Sequence, residues 1–70
     1  MNKLETPVAG RIVAVMAQAG DHVAVGDTVA KIESMKMEIP IEAEYAGTVV
    51  RVLAAEGDEV EEGQALLELK

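Results

Sequence analysis

One lysine in this sequence stands between two methionines. Lys36 follows Met35 and precedes Met37, and the six residues from Glu33 to Glu38 read Glu-Ser-Met-Lys-Met-Glu. A lysine amine can accept an acyl group as an amide, but without activation it is a poor nucleophile. We therefore expect any acylation of Lys36 to depend on an acyl group that a separate enzyme has activated.

The apolar pattern around Lys36 predicts the element that positions it. Inward positions are even-numbered from Thr28 to Ile32 and odd-numbered from Met37 to Ala43, so the alternation changes phase at Met35-Lys36. A hairpin that turns there would pair Ile32 with Ile39, Ala30 with Ile41 and Thr28 with Ala43, all on the buried face. This register places Lys36 at the tip of a hairpin.

The predicted tip is unusual for a turn selected only for stability. Two-residue hairpin turns favour Asn or Gly because their central residues need positive φ, and Met35-Lys36 supplies neither. The same register opposes Glu33 to Glu38, which is unfavourable across a ladder. These local conflicts indicate a functional tip.

The rest of the chain is predicted to form strands in two copies of one unit. A shift of 37 positions aligns Ala9-Gly10 with Ala46-Gly47, Gly20-Asp21 with Gly57-Asp58, Val23 with Val60 and Gly26 with Gly63. The repeated alternation of strand-like runs and Gly turns predicts a small sandwich or barrel. The expected strands are Arg11 to Met16, Thr28 to Glu33, Met37 to Glu42, Gly47 to Leu53 and Ala65 to Leu69, with short pieces near Thr6, Val23 and Val60.

Composition narrows the classes of function. A chain of 70 residues, half of them apolar, supports one domain over residues 1–70 with little room for an enclosed active site, so we expect no autonomous enzyme. A net charge of -7 opposes binding to nucleic acid or to an anionic bilayer. The chain has no cysteine, no apolar signal-like stretch over Met1 to Glu5 and no membrane-spanning run, so we expect a cytoplasmic protein. We also expect the domain to be monomeric in isolation.

Several other polar residues are expected to have structural roles only. Asp21, Asp27 and Asp58 belong to turns, and no dense set of oxygen ligands surrounds them, so we expect no metal site. His22 is the only histidine and is expected at a turn edge, while Tyr45 is expected to pack over a barrel end. The six glycines form three matched pairs, which indicates positive φ or close backbone approach at turns.

The segment Glu33-Ser34-Met35-Lys36-Met37-Glu38 resembles the attachment motif of biotinyl domains, in which the modified lysine lies between two methionines. The resemblance covers nearly the whole chain and is greatest to single-domain biotin/lipoyl attachment proteins and to the carrier domains of biotin-dependent carboxylases. It implies an all-β flattened barrel-sandwich of two four-stranded antiparallel sheets with a quasi-twofold repeat.

The resemblance also implies a function. Lys36 would carry covalent biotin, Met35 and Met37 would be flanking recognition and carboxylation contacts, and Glu33, Ser34 and Glu38 would be lesser recognition elements. A biotin protein ligase would attach the cofactor. The domain would then shuttle carboxybiotin between the biotin carboxylase and carboxyltransferase subunits or domains of its parent system.

Two alternatives remain at this stage. One is a lipoyl carrier of a 2-oxo acid dehydrogenase-type system, although related lipoyl domains usually have Asp immediately before the lysine where this chain has Met35. The other is an unmodified barrel-sandwich scaffold, in which Lys36 would stay a free amine.

Overall fold

Eight β-strands make up the secondary structure of this protein in a computed structural model that describes residues 2–70. Met1, the first residue of the predicted domain, lies outside the described residues. The strands are β1 Asn2–Glu5, β2 Gly10–Val15, β3 His22–Val23, β4 Thr28–Ser34, β5 Met37–Glu42, β6 Gly47–Val52, β7 Glu59–Val60 and β8 Ala65–Leu69. Across residues 2–70, no helix is long and apolar enough to cross a membrane.

The strands form two antiparallel sheets that correspond to each other through the sequence repeat. One sheet has the order β1-β8-β6-β3 and the other has the order β5-β4-β2-β7. A shift of 37 positions brings β2 onto β6, β3 onto β7 and β4 onto β8, so each sheet has the strand order of the other. This confirms the predicted all-β barrel-sandwich with its quasi-twofold repeat.

The turns in each copy of the sequence repeat form backbone hydrogen bonds to the other copy. Gly20 N–H donates to the Val49 carbonyl oxygen at 2.8 Å, and the equivalent Gly57 N–H donates to the Ile12 carbonyl oxygen at 2.8 Å. Gly20 and Gly57 have φ of 96° and 92°, values that glycine adopts without steric cost. The two halves are therefore interlocked through their backbones as well as through their side chains.

The core lies between the inner faces of the two sheets. It is built from aliphatic side chains contributed by both copies, and its largest fully buried hydrophobic members are Ile12, Val29, Ile32, Val49, Leu67 and Leu69. Burying side chains of this size supplies most of the stabilisation available to so small a domain, at about 1.5–3 kcal/mol each.

One predicted pairing of the β4–β5 hairpin differs from the structure. Thr28 pairs with Glu42 rather than Ala43, because a bulge between Thr28 and Ala30 shifts the register and turns Val29 into the core with 1% of its surface exposed. Ala30–Ile41 and Ile32–Ile39 pair as predicted.

The remaining differences concern strand ends. The short piece expected near Thr6 is β1 at Asn2–Glu5, and Thr6 itself is buried after the strand, where its hydroxyl donates to the Val8 carbonyl oxygen at 2.6 Å. Met16 and Leu53 lie just beyond the ends of β2 and β6. Their backbones nevertheless continue the sheets, since Met16 N–H donates to Val29 and Leu53 N–H donates to Leu66, both at 2.8 Å.

Candidate functional site

The turn between β4 and β5 consists of two residues, Met35 and Lys36. Ser34 and Met37 form the last pair of the ladder, and the turn residues have φ of 53° and 65°. Positive φ at both central residues is the geometry of a type I′ turn, which matches the twist of the flanking strands. Apart from glycines, Met35 and Lys36 are the residues with positive φ over residues 2–70. The unfavourable backbone conformation predicted for the turn is therefore adopted by the candidate attachment lysine and its neighbour.

The base of this hairpin is fixed by the core. Ile32 in β4 is completely buried, and its partner Ile39 in β5 packs against the core from a partly buried position. On the other side of β4, Gly10 allows β2 to approach closely: a Cβ there would lie 2.6 Å from Ile32 Cγ2 and in collision with the Glu33 carbonyl oxygen. The turn therefore projects from a firmly packed part of the sheet.

The turn side chains are open to solvent. Met35 is 92% exposed, Met37 is 64% exposed and Lys36 is also exposed. Apolar side chains on both sides of one exposed charge form a surface suited to contact with another protein.

The six residues singled out in the sequence lie on three surfaces. Lys36 and Met35 occupy the turn itself. Because side chains alternate across a strand, Glu33 and Glu38 pair on the outer face of the sheet. Ser34 and Met37 pair on the opposite, inner side, at the open end of the sandwich. A partner that contacts all six residues must therefore surround the hairpin tip.

The structure adds one residue to this neighbourhood that the sequence analysis did not select. Arg11 in β2 pairs with Glu33 on one side and with Glu59 in β7 on the other. Alternation places Arg11 on the outer face of the sheet, beside Glu33 in the neighbouring strand. The alternation of β2 in the sequence could have identified Arg11, because Ile12 points inward and its neighbour Arg11 therefore points outward.

Both prominent surface grooves lie away from the hairpin tip. One involves the far ends of β2 and β4, where Met16, His22 and Thr28 contribute to its walls. The other lies where β1, β5 and the loop at Val25 meet. Neither is lined by residues 33–38, so the two grooves give Lys36 no enclosing pocket.

The end of the chain lies opposite the tip. Lys70 exchanges backbone hydrogen bonds with Thr48, and Thr48 pairs with His22. His22 shares a groove with Met16 and Thr28, at the end of the sheet farthest from the turn, so Lys70 lies away from Lys36.

The aspartates Asp21, Asp27 and Asp58 have the turn roles predicted for them. Asp21, Asp27 and Asp58 each accept a hydrogen bond from a backbone N–H three residues earlier, at 2.9 Å, which confirms their turn role. Within residues 2–70, no group of His, Asp and Glu side chains is arranged to hold a metal ion. His22 is exposed beside Thr48, with 3.4 Å between Nδ1 and Oγ1, and Tyr45 is 44% exposed in the loop after β5.

Comparison with known proteins assigns the family. The family model described as "Biotin-requiring enzyme" matches residues 2–69, which is nearly the whole chain. The chain belongs to the biotin/lipoyl family. A curated member, the biotin/lipoyl attachment protein of Bacillus subtilis (strain 168), is 52% identical over 62 residues, an alignment that covers 89% of this chain and 85% of the relative.

Solved structures with the biotin/lipoyl fold include parts of carboxylases. The urea carboxylase of Kluyveromyces lactis matches 99% of this chain with a TM-score of 0.89 and 36% identity. A single-chain, multi-domain long-chain acyl-CoA carboxylase matches 94% of it with a TM-score of 0.87 and 35% identity. The matched regions are 6% and 7% of those chains, so this protein spans a small part of each.

Proposed function

We propose that this protein is a biotin carboxyl carrier and that Lys36 is its attachment residue. The observation that carries the proposal is the placement of Lys36 in a two-residue turn, between two exposed methionines, at the end of a well-packed sheet. Membership of the biotin/lipoyl family supports the class of function, and the similarity to two carboxylases supports biotin over lipoate.

The residues at the tip fit a covalently attached cofactor. Lys36 offers a primary amine that an incoming activated acyl group can reach without displacing any part of the fold. Biotin, once joined there as an amide, supplies a ureido nitrogen that can accept and release a carboxyl group. The lysine side chain gives the arm its mobility, while Ile32 and Ile39 hold the origin of the arm in place.

The chemistry itself belongs to partner proteins in this proposal. Neither of the two grooves is lined by residues 33–38, so neither one encloses Lys36 or orients a second substrate beside the arm. We infer that a biotin protein ligase modifies Lys36 and that the active sites of a biotin carboxylase and a carboxyltransferase receive the arm in turn. We propose that the carrier works in the cytoplasm, which suits a chain without cysteine.

Met35 and Met37 are the principal recognition contacts in this proposal, and Glu33, Ser34 and Glu38 contribute less. The methionines offer flexible apolar surface that a ligase can bury around the lysine. Glu33 and Glu38 offer charge on the outer face of the hairpin, and Arg11 pairs with Glu33 in the strand register.

Mass spectrometry after co-expression tests the attachment site. The wild-type protein is produced with biotin protein ligase and excess biotin, and in parallel with lipoate ligase and excess lipoate. We expect one biotinyl adduct, located on Lys36 by peptide fragmentation. Lys36→Arg should lose the adduct and keep its thermal unfolding midpoint, because the side chain is exposed and its charge is retained.

Lys3→Arg is the matched control, since Lys3 is also exposed but lies in β1. This variant should be biotinylated like the wild type. Biotin retained in Lys36→Arg would disprove the site, a lipoyl adduct alone would replace the cofactor assignment, and an unmodified protein in both samples would support the scaffold alternative.

A further inference from the structure

The sulfur chemistry of this chain is concentrated beside the candidate attachment lysine. The sequence contains no cysteine, so methionine thioethers are the groups in it that take up oxygen from peroxides most readily. Of the methionines at positions 16, 35 and 37, Met35 is 92% exposed, Met37 is 64% exposed and Met16 is 45% exposed. The access of an oxidant to the methionine side chain therefore decreases from Met35 to Met37 to Met16.

Met35 is also the methionine whose oxidation would disturb the fold least. It lies in the turn with positive φ, beyond the last pair of the ladder, and almost none of its surface is covered by the rest of the domain. A sulfoxide on Met35 would add a polar oxygen in solvent and would bury no unpaired polar group. Its effect would appear only where another protein has to cover that side chain.

We propose that Met35 is a reversible oxidation site that controls acylation of Lys36. The inference rests on the proposed function, because it assumes that a ligase buries Met35 when it binds the tip. Oxidation converts the flexible apolar side chain into a polar one, and the ligase would then have to desolvate the S=O group. The oxidised domain stays folded but is a poor substrate for attachment.

The chemical step balances with a hydroperoxide as oxidant. The Met35 sulfur attacks one peroxide oxygen, an S–O bond forms and the O–O bond breaks. The sulfur loses two electrons, and the other peroxide oxygen accepts them and a proton and leaves as water or as an alcohol. Methionine sulfoxide reductases reverse the change, so the site can return to its acceptor state.

A competition experiment on one partly oxidised sample tests the proposal. The protein is treated with hydrogen peroxide until about half of Met35 carries oxygen, freed of peroxide, and incubated briefly with biotin ligase, biotin and ATP. Cleavage after glutamate releases the peptide Ser34–Glu38, which contains Lys36 and both neighbouring methionines, and fragmentation locates the oxygen and the biotin. We expect Met35 sulfoxide to be depleted about tenfold in the biotinylated peptide relative to the unmodified peptide.

Three controls make the outcome decisive. Untreated protein must accept biotin, and its failure would contradict the proposed function rather than this inference. Treatment with methionine sulfoxide reductase should restore acceptance, and the thermal unfolding midpoint should stay unchanged on oxidation. Equal biotinylation of peptides with and without the Met35 oxygen, or oxidation of Met16 as fast as Met35, would overturn the inference.

Discussion

Lys36 and Met35 occupy a backbone conformation that neither residue type favours. Both have positive φ, where a Cβ meets the neighbouring backbone and where Asn and Gly are preferred. The next pair of the ladder opposes Glu33 to Glu38, so two unfavourable features lie within six residues. A single substitution could relieve each of these unfavourable features. Their presence indicates that the tip is less stable than it could be because it presents these particular side chains.

The turn conflict predicts that Met35→Asn stabilises the fold. Asn adopts positive φ more readily, so the free energy of unfolding should rise by about 0.5–1 kcal/mol. Met37→Asn is the matched control, because Met37 lies in the extended β5 and should show no gain. Urea denaturation measures both variants, and equal effects would contradict a specific role for the turn geometry.

The charge conflict predicts that Glu38→Lys also stabilises the fold. Lysine at position 38 would face Glu33 as an opposite charge, so the free energy of unfolding should rise by about 0.2–1 kcal/mol at low salt. Glu42→Lys, which makes the same charge change opposite the neutral Thr28, should gain less. Denaturation at low and high salt checks this, because added salt should reduce the difference between the two variants.

The β4–β5 hairpin depends on its contact with β2. Gly10 has an ordinary backbone conformation, and its importance is the space it leaves for the Glu33 carbonyl and the Ile32 side chain. The repeat places Gly47 in the same relation to the second sheet, where a Cβ would lie 2.8 Å from the Lys70 carbonyl oxygen. Both contacts involve backbone that can move only if the strand pairing moves with it.

Gly10→Ala should therefore loosen the base of the hairpin. We expect a loss of about 1–3 kcal/mol in the free energy of unfolding, the usual cost of overpacking. Gly47→Val should also destabilise the domain, whereas Ala9→Ser, at an exposed neighbour of Gly10, should have little effect. Normal thermal unfolding of Gly10→Ala would mean that β2 and β4 are not so closely packed.

The molecule behaves as one unit because each repeat completes the other. Hydrogen bonds from Gly20 to Val49 and from Gly57 to Ile12 cross between the copies. The Asp21 carboxylate stabilises the turn that contains Gly20, and the Asp58 carboxylate stabilises the turn that contains Gly57. Neither copy can release these turns without breaking backbone hydrogen bonds to the other copy. This arrangement supports a rigid base for the hairpin tip despite the small size of the core.

The interlocking predicts equivalent effects of two distant substitutions. Asp21→Ala and Asp58→Ala should each lower the free energy of unfolding by about 1 kcal/mol, because each removes one carboxylate hydrogen bond to a backbone N–H. Both variants should unfold in a single transition by circular dichroism. Glu56→Ala, an exposed residue beside the second turn, serves as the control, and separate transitions for the two halves would contradict the interlocked model.

The sequence by itself determined the strand pattern and the position of the lysine. The repeat of 37 positions predicted a small sandwich or barrel made of two equivalent copies, and the phase change in alternation placed the turn at Met35-Lys36, because strand periodicity is a local property that each segment carries. The opposed Glu33 and Glu38 followed from the same register.

Only the tertiary structure decided which distant residues meet. Arg11 joins the carboxylates beside the hairpin through pairing between β2 and β4, and a bulge at Val29 replaces the expected Ala43 with Glu42 opposite Thr28. The cross-copy hydrogen bonds and the close approach at Gly10 depend likewise on how the two sheets assemble. Alternation specifies the face on which a side chain lies, but packing between strands far apart in sequence selects its neighbours.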